Sequence, residues 1–349
     1  MERLSYFIRR LLLIIPTFLG ITIIVFTLIQ FVPGGPVEQQ IALMRGFGSG
    51  ESGAGGGASN VTITEDQRKA IEKEFGFDKP FPVRYLKWLF VDGMGMKAHS
   101  YKYNNKTVWE LVEERFPISL TFGITGFVLT YLICVPLGIA KALRNGSPFD
   151  VGSSVIVLVL YAIPAFAFGM ILKTLFCGTS DNFFDIFPIG GFRSENWEEL
   201  SSWGKVKDQV HHMFLPVLCY IIGNFAVLTI LMKNSLLDQI GQDYIRTVLA
   251  KGGTMRRAIW GHALRNALIP IVTGIGSILT IMFAGSVLIE RVFSINGIGL
   301  LTLDAIVGRD YMVFMGILAL TSILALLGRV FSDFCYVLVD PRINFGKEA

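Results

Sequence analysis

The chain has 349 residues, of which 52% are hydrophobic and only 17% are charged, whereas soluble domains are usually about 25% charged. Its apolar residues lie in long runs, which excludes an ordinary soluble domain and indicates a protein that spans a membrane. The formal net charge of +4 gives no indication of nucleic acid as a partner.

Six apolar runs approach the roughly 20 residues that a membrane-spanning helix needs. They cover 11–31, 117–140, 151–176, 213–232, 267–289 and 312–336. The first run is too long, and too poorly followed by a small-residue cleavage site, to be a secretory signal peptide. We therefore predict an all-α integral membrane protein with six transmembrane helices.

The only substantial polar segment, 34–116, lies between the first two runs. Its Gly/Ser-rich tract, 46–59, lacks side chains that could form a core, which is typical of a flexible loop. The apolar groups that follow predict short helices, one over 64–75 and one over 85–89, in a small extracytoplasmic cap. The predicted organisation is N-terminus and first helix (1–33), extracytoplasmic segment (34–116), transmembrane core (117–337) and cytoplasmic tail (338–349).

A basic stretch, 233–270, lies between the fourth and fifth runs and carries six Lys or Arg residues against two Asp. A basic segment of this length between two spans is typical of a cytoplasmic loop. Within it, Ile245, Val248 and Leu249 have the i, i+3, i+4 spacing that puts apolar side chains on one helical face. The spacing predicts a short amphipathic helix.

The pair Gly252-Gly253 predicts the end of this helix, because glycine adopts the left-handed C-terminal conformation without a steric penalty. Thr254 is placed to cap a second short helix. Three residues of that second helix are expected to share a face: Met255, Ile259 and His262. Two short helices joined by a glycine elbow predict a compact knob that docks against another surface.

The distribution of Lys and Arg predicts the orientation of the chain. Thirteen lie in the N-terminal segment, the turn at 145–148 with its flanks, the stretch 233–270 and the tail, whereas five lie in the two short segments of the other side. The long segment 34–116 is not counted, because long domains cross the membrane largely regardless of charge. The bias predicts that both termini and the stretch 233–270 face the cytoplasm.

Three motifs follow one another in the basic stretch: Arg246-Thr247, Ala250-Lys251-Gly252 and His262-x-Leu264-Arg265-Asn266-Ala267-Leu268-x-Pro270. Together they resemble the cytoplasmic coupling loop of ABC-importer permeases of the dipeptide and oligopeptide branch. Arg9-Arg10-Leu11-Leu12-Leu13 and Glu290-Arg291-Val292-Phe293-Ser294 also match that branch. The run Gly34-Gly35-Pro36-Val37-Glu38-Gln39 is similar to permeases that import peptides and the peptide-nucleotide antibiotic microcin C.

The resemblance implies a permease subunit of the type I ABC importer kind in a bacterial cytoplasmic (inner) membrane. Such a subunit forms half of a translocation pathway for short peptides or peptide-like compounds. The implied partners are a second homologous permease subunit, one or two ABC ATPase subunits, an extracytoplasmic peptide-binding protein and the lipid bilayer. ATP and Mg would be bound by the ATPase subunits, and this chain would have no cofactor and no catalytic residue.

In that family the coupling loop, here 233–266, inserts into a cleft of the ATPase subunit. The residues expected to contact the ATPase are Tyr244, Arg246, Thr247, Ala250, Lys251, Gly252, Gly253, Arg257, His262, Arg265 and Asn266. The residues expected in the substrate path are Glu290, Phe293 and Asn296. Periodicity alone fits equally well a basic amphipathic helix on anionic lipid, and Glu290 alternatively only pairs with Arg291.

Charged residues inside the runs have more ordinary interpretations than a functional site. Lys173 lies near the end of its run and is expected to extend its ammonium group to the membrane surface. Arg329 and Asp333 are four residues apart, so they are expected to share a helical face and neutralise one another.

Other chemistry finds little support in the sequence. No Gly-Lys-Ser/Thr follows the glycine-rich tract, so we expect no phosphate-binding loop and no ATP hydrolysis by this chain alone. His211 and His212 have no Cys, Asp or Glu at metal-ligand spacing beside them. The four cysteines lie in or at the ends of apolar runs and are expected to be small apolar fillers.

Two other classes of protein are alternatives to the importer subunit. A secondary transporter should show inverted repeats or several ionisable residues near mid-membrane, and such charges are nearly absent here. An intramembrane enzyme needs a nucleophile or a metal set, and none is recognisable.

Overall fold

The computed structural model describes residues 2–31, 78–103, 106–178, 184–274 and 286–339. Within these ranges the chain is helical and has no strand, only two isolated bridges. Its α-helices are α1 (Glu2–Gln30), α2 (Phe81–Leu86), α3 (Val108–Leu143), α4 (Pro148–Ala162), α5 (Ala165–Phe176), α6 (Ser202–Ile240), α7 (Asp243–Ala250), α8 (Met255–Ala258), α9 (Leu264–Ala267), α10 (Ile269–Thr273), α11 (Val287–Val292), α12 (Ile298–Val307) and α13 (Tyr311–Val339). Shorter turns are π-helical at Lys87–Val91 and Ile259–Ala263 and 3₁₀ at Trp197–Glu199. The predicted all-α class is confirmed.

Four helices in the described part of the chain are long and apolar enough to cross a membrane, namely α1, α3, α6 and α13. They match the first, second, fourth and sixth predicted runs. The fifth run, 267–289, includes residues 275–285, which lie outside the described residues. The count of six transmembrane helices therefore stays a prediction. The predicted loop at 46–59, the helix at 64–75 and all but the first two residues of the tail also lie outside the described residues.

The third predicted span, 151–176, forms two helices that together are long and apolar enough for one bent span. The run divides into α4 and α5, which are bent by 93° relative to each other. Ile163 ends α4 in an extended conformation, with φ −93° and ψ 120°, and Pro164 follows it. The ring of a proline disfavours the helical conformation of the preceding residue, so Pro164 breaks the span.

The chain divides into two compact units, one made of Met1–Ile14, Arg115–Leu300 and Leu324–Ala349, the other of Ile15–Glu114 and Leu301–Ile323. In the first unit, glycines allow α3 and α6 to approach closely. A Cβ atom at Gly126 would lie 2.9 Å from Cβ of Tyr220, and one at Gly138 would lie 2.6 Å from Cβ of Met232. Small residues at helix contacts are typical of membrane proteins, where packing replaces the hydrophobic effect as the source of association.

In the second unit, aromatic rings hold α2 against α1. Phe26 lies 5.5 Å from the ring of Tyr85 and 6.1 Å from that of Trp88, and the hydroxyl of Thr22 lies 2.8 Å from that of Tyr85. The predicted apolar segment at 85–89 thus forms α2 and the π-helical turn after it. Burial of these rings stabilises this short segment.

The carboxylate of Asp310 fixes a loop of the second unit and is buried, with 1% of its surface exposed. It accepts hydrogen bonds from the hydroxyl of Ser100 and from the backbone N–H groups of Tyr101 (3.0 Å) and Lys102 (3.2 Å). The N–H of Val313, in the first turn of α13, also donates to it (3.3 Å). Burial, followed by the nearby Asp310 charge, raises the pKa of Tyr101 above its usual range.

All four cysteines lie in the described part of the chain and are free thiols. Three of them are buried, and the fourth, Cys335, is half-buried. This agrees with the prediction that they fill space in the apolar parts of the protein.

Candidate functional site

The first short helix of the basic stretch is α7, and its apolar stripe is confirmed. Ile245 is buried, with 1% of its surface exposed, and Val248 and Leu249 are partly buried beside it. These side chains pack in a cluster with Met232 and Leu236 of α6. Burial of one face therefore fixes α7 against the helix that precedes it in the chain.

A glycine pair ends α7 in the manner of a Schellman motif. The N–H of Gly252 donates to the carbonyl of Leu249 (2.9 Å), and the N–H of Gly253 donates to the carbonyl of Val248 (3.0 Å). Gly252 has φ +82°, which confirms the predicted left-handed conformation. Gly253 is needed for a different reason, since a Cβ atom there would lie 2.8 Å from the Val248 carbonyl oxygen.

The second short helix begins as predicted but presents another face. The hydroxyl of Thr254 accepts a hydrogen bond from the N–H of Arg257 (3.3 Å), which is an N-cap. Of the three residues predicted to share a face, only Ile259 is buried, whereas Met255 and His262 are exposed. The π-helical turn Ile259–Ala263 widens the helix locally, so the buried face continues through Ala263 instead of His262.

Hydrogen bonds attach this pair of short helices to the end of α6. The hydroxyl of Ser235 donates to the carbonyl of Ala267 (2.8 Å). The side-chain amide of Asn266 donates to the hydroxyl of Tyr244 (3.2 Å), which itself donates to the side-chain oxygen of Gln239 (2.8 Å). The two helices and the end of α6 thus form one packed body, which we name the knob (residues 233–267).

Most of the residues predicted to contact an ATPase lie on the exposed surface of the knob. The exposed ones are Arg246, Thr247, Ala250, Lys251, Gly252, Arg257, His262, Arg265 and Asn266, whereas Tyr244 and Gly253 are half-buried. Arg246 makes an ion pair with Asp243 at 3.3 Å, with side chains 77% and 93% exposed, which contributes at most about 1 kcal/mol. Apart from this ion pair, the exposed surface of the knob carries a net positive charge.

A depression of about 490 Å³ opens on the same surface and is lined by Thr254, Arg256, Arg257, Trp260 and Gly261. Trp260 is 55% exposed there. An exposed indole beside two guanidinium groups is a composition typical of protein interfaces, where tryptophan and arginine are enriched.

A buried group of three charges lies beside the knob, and sequence reasoning missed it. Nζ of Lys233 lies 2.8 and 2.7 Å from the two carboxylate oxygens of Asp150. Nζ of Lys141 lies 3.1 Å from the same carboxylate and donates to the hydroxyls of Ser153 (2.8 Å) and Ser154 (2.7 Å). Lys141 and Asp150 are almost completely buried, with side chains 1% and 6% exposed. The group joins α3, α4 and α6 where the knob begins.

The local sequence explains how Asp150 reaches this position. Ser147 caps α4 by accepting from the N–H of Asp150 (3.3 Å), and Pro148 occupies the first turn. Gly146, with φ +77°, donates its N–H to the Asp150 carboxylate (3.0 Å). The signal available in the sequence was an Asp three residues after a helix-capping Ser, close to a Lys at the end of an apolar run.

Glu290, predicted in the substrate path, lies in an internal cage. One carboxylate oxygen accepts from the hydroxyl of Ser119 (3.2 Å) and the N–H of Ser286 (3.3 Å), and the other accepts from the N–H of Leu300 (2.7 Å). Glu290 is 1% exposed. A Cβ atom at Gly297 would lie 2.6 Å from the carboxylate, so that glycine makes room for it.

The other two predicted path residues differ from each other in burial. Phe293 is buried and packs beside Gly169 and Cys219, whereas Asn296 is exposed. The alternative that Glu290 only pairs with Arg291 is wrong, because the Glu290 carboxylate accepts from Ser119, Ser286 and Leu300, whereas Arg291 is exposed.

Of the two expectations about intramembrane charges, the one for Asp333 is wrong and the one for Lys173 stays a prediction. Nζ of Lys173 donates to the carbonyl of Val292 (2.7 Å), the last residue of α11. A cation there stabilises the negative end of the helix dipole. Asp333 forms its ion pair with Arg10 and not with Arg329.

Among the described residues, no group of three or more His, Cys, Asp or Glu side chains could hold a metal ion. His211 lies 2.6 Å from the carbonyl of Ile186 instead, and His212 lies 3.0 Å from that of Asp208.

The long apolar helices and the packed basic knob are the features of an integral membrane protein with a positively charged surface. Comparison with known proteins gives the class: residues 134–345 match the family described as binding-protein-dependent transport system inner membrane component. The chain belongs to this family. The resemblance drawn from the motifs is thereby confirmed.

Individual relatives extend the similarity over the whole chain. The chain is 40% identical to the inner membrane ABC transporter permease protein YejB of Escherichia coli O157:H7, over 98% of this chain and 99% of that protein. It is 37% identical, with the same coverage, to the peptidoglycan transport system permease protein YejB of Agrobacterium fabrum. It is 33% identical to the oligopeptide transport system permease protein AppB of Bacillus subtilis, again over 98% and 99%.

Proposed function

We propose that this chain is the permease subunit of an ATP-driven importer and forms half of the pathway for short peptides or peptide-like compounds. The single observation that carries the proposal is the knob, a rigid and positively charged projection in a member of the binding-protein-dependent transport family. The names of the relatives support the cargo class, since one is an oligopeptide permease and another a peptidoglycan transport permease.

The knob is the element that receives motion from an ATPase subunit. The exposed residues Arg246, Lys251 and Arg265 contact the cleft of the ATPase subunit. The hydrogen bond between Tyr244 and Asn266 holds the short helices of the knob together. The ATPase subunits bind ATP and Mg, and this chain performs no catalysis. One or two ATPase chains, a second homologous permease and an extracytoplasmic peptide-binding protein complete the complex.

A displacement of the knob is transmitted to α6 because packing and hydrogen bonds hold the knob against the end of that helix. Ile245 is packed against α6, and Ser235 is hydrogen-bonded to Ala267, so a push on the knob moves the end of α6. The ion pair of Lys233 with Asp150 passes that movement to α4 and α3. The spans have two arrangements, one open to each side of the membrane. ATP and the loaded binding protein shift the equilibrium between these arrangements, which gives alternating access.

The orientation belongs to the same proposal. Both termini and the knob face the cytoplasm, in agreement with the excess of Lys and Arg in these segments. Glu290, Phe293 and Asn296 remain proposed as residues of the path, with Asn296 the only exposed one of the three.

The test is reconstitution of the complete complex in proteoliposomes with its cognate second permease, ATPase and binding protein. We expect uptake of a labelled short peptide that requires ATP and the binding protein. Uptake driven by a proton or sodium gradient without ATP would contradict the proposal and favour a secondary transporter. ATP hydrolysis by the purified chain alone would contradict the assignment of catalysis to the partner subunits.

A further inference from the structure

Asn224 places an amide group near the middle of the apolar run 213–232 of α6. It is exposed, and it makes no hydrogen bond with any residue that the structure describes. An unsatisfied amide is costly in hydrocarbon, because lipid tails offer no donor or acceptor. The side chain of Asn224 therefore faces water or another polar molecule, not lipid.

A cavity of about 150 Å³ lies beside this amide, between α3 and α6. One water molecule needs only about 10–15 Å³ of such volume, so the cavity can hold several water molecules or part of a solute. The residues that matter for its chemistry are Thr130, Tyr131, Tyr220, Asn224 and Gly274. None of the described residues that line it is charged.

Two polar groups of the lining already have partners. The hydroxyl of Thr130 donates to the carbonyl of Gly126 (2.7 Å) within its own helix, and that of Tyr131 donates to the carbonyl of Ile271 (3.3 Å). Among the described residues none bonds to the Asn224 amide, which leaves its N–H donors and its carbonyl acceptor for an occupant. A peptide bond offers the complementary set, one carbonyl and one N–H.

The wall opposite the amide is aromatic. The rings of Phe127 and Tyr131 lie 4.4 Å apart, and Gly274 leaves space for the Tyr131 hydroxyl, since a Cβ atom at Gly274 would lie 2.7 Å from it. An aromatic wall with one amide facing it matches an extended peptide, which has apolar side-chain atoms and a polar backbone.

We infer that Asn224 and the cavity between α3 and α6 form a contact site for the backbone of a peptide in transit. The inference rests on the proposed function and adds to it a property of the path. Because the site is uncharged and contacts the backbone, it does not distinguish peptides by the charge of their side chains. Selection among peptides then takes place elsewhere, before the cargo reaches mid-membrane.

The first experiment measures initial uptake of three peptides of equal length, one acidic, one neutral and one basic, by the reconstituted complex. Asn224→Leu should lower the uptake of all three by the same factor, about tenfold, as expected for the loss of a hydrogen-bonding group. ATPase activity stimulated by the binding protein should persist. Asn224→Asp should slow the acidic peptide most, because it adds a negative charge to the site.

Asn145→Leu is the matched control, because it makes the same chemical change at an exposed asparagine outside the cavity. It should leave uptake unchanged. A second readout replaces the four native cysteines and introduces Asn224→Cys. A small hydrophilic thiol reagent should modify this position, and a transported peptide should protect it.

Normal uptake by Asn224→Leu, or no modification at Asn224→Cys, would overturn the inference. Loss of the second permease subunit from the purified Asn224→Leu complex would also overturn it and would identify a neighbouring helix as the occupant. Failure of the wild-type complex to import any peptide would instead contradict the proposed function, so the two failures are distinguishable.

Discussion

Lys233 and Asp150 form a two-pronged ion pair, with Nζ 2.8 and 2.7 Å from the two carboxylate oxygens. The pair joins Lys233, the first residue of the knob in α6, to the first turn of α4. Lys141 reaches the same carboxylate from α3, so a single Asp holds two cations in a largely buried position.

Asp150→Asn should therefore destabilise the protein more than any exposed charge change. It leaves Lys141 and Lys233 close together without an anion, and removal of one partner of a buried pair typically costs about 3–5 kcal/mol. Thermal unfolding of the purified complex measures the effect. The control is Asp243→Asn, which removes the exposed pair with Arg246 and should cost less than about 1 kcal/mol. Equal stability of the two variants would show that the buried group is not a structural link.

Gly252→Val should separate ATP hydrolysis from transport. A residue with a Cβ atom in the left-handed conformation costs roughly 1–2 kcal/mol, and β-branched residues are strong outliers there. We expect the second short helix of the knob to be redirected, so that stimulation of the ATPase by loaded binding protein and uptake both fall while basal hydrolysis largely survives.

The control at the same position is Gly252→Asn, because asparagine tolerates this conformation better than other residues with a side chain. It should retain most of the stimulation. Normal stimulation and uptake in Gly252→Val would mean that the knob does not transmit motion from the ATPase subunit to the transmembrane helices.

Glu290→Gln tests whether this carboxylate stabilises the fold or contacts the transported peptide. Backbone N–H groups face both of its oxygens, so a glutamine must direct its own N–H₂ group at one of them. We expect a loss of about 1–3 kcal/mol, the usual cost of an unsatisfied buried group, in thermal unfolding of the complex. Arg291→Gln, at the exposed neighbour, should be nearly neutral. A Glu290→Gln complex that unfolds like the wild type but transports poorly would support a place in the substrate path instead.

The orientation is tested with single cysteines at Gly50, Asn196 and Lys251 in a background without the four native cysteines. An impermeant thiol reagent added to intact cells should modify the first two positions and not the third. Lys251 is exposed on the knob, so its protection would result from the membrane and not from burial. Modification of Lys251→Cys from outside would reverse the proposed topology.

Local features of this protein were determined by the sequence itself. The end of α7 at Gly252 and Gly253, the cap at Thr254 and the apolar stripe at Ile245 were all predicted, because each depends on residues within one or two helical turns. The long apolar runs of α1, α3, α6 and α13 were predicted for a similar reason, since a span is a property of a continuous segment.

The tertiary structure alone decided the partners of the charged groups and the shape of two helices. Asp333 meets Arg10, 323 residues away, and Lys173 meets the Val292 carbonyl, 119 residues away. Spacing along one helix says nothing about such distant partners. The π-helical turn at Ile259 rotated His262 to the surface, and the break at Pro164 bent the third run by 93°. Packing against other helices sets the outcome at these points, because local rules permit more than one conformation there.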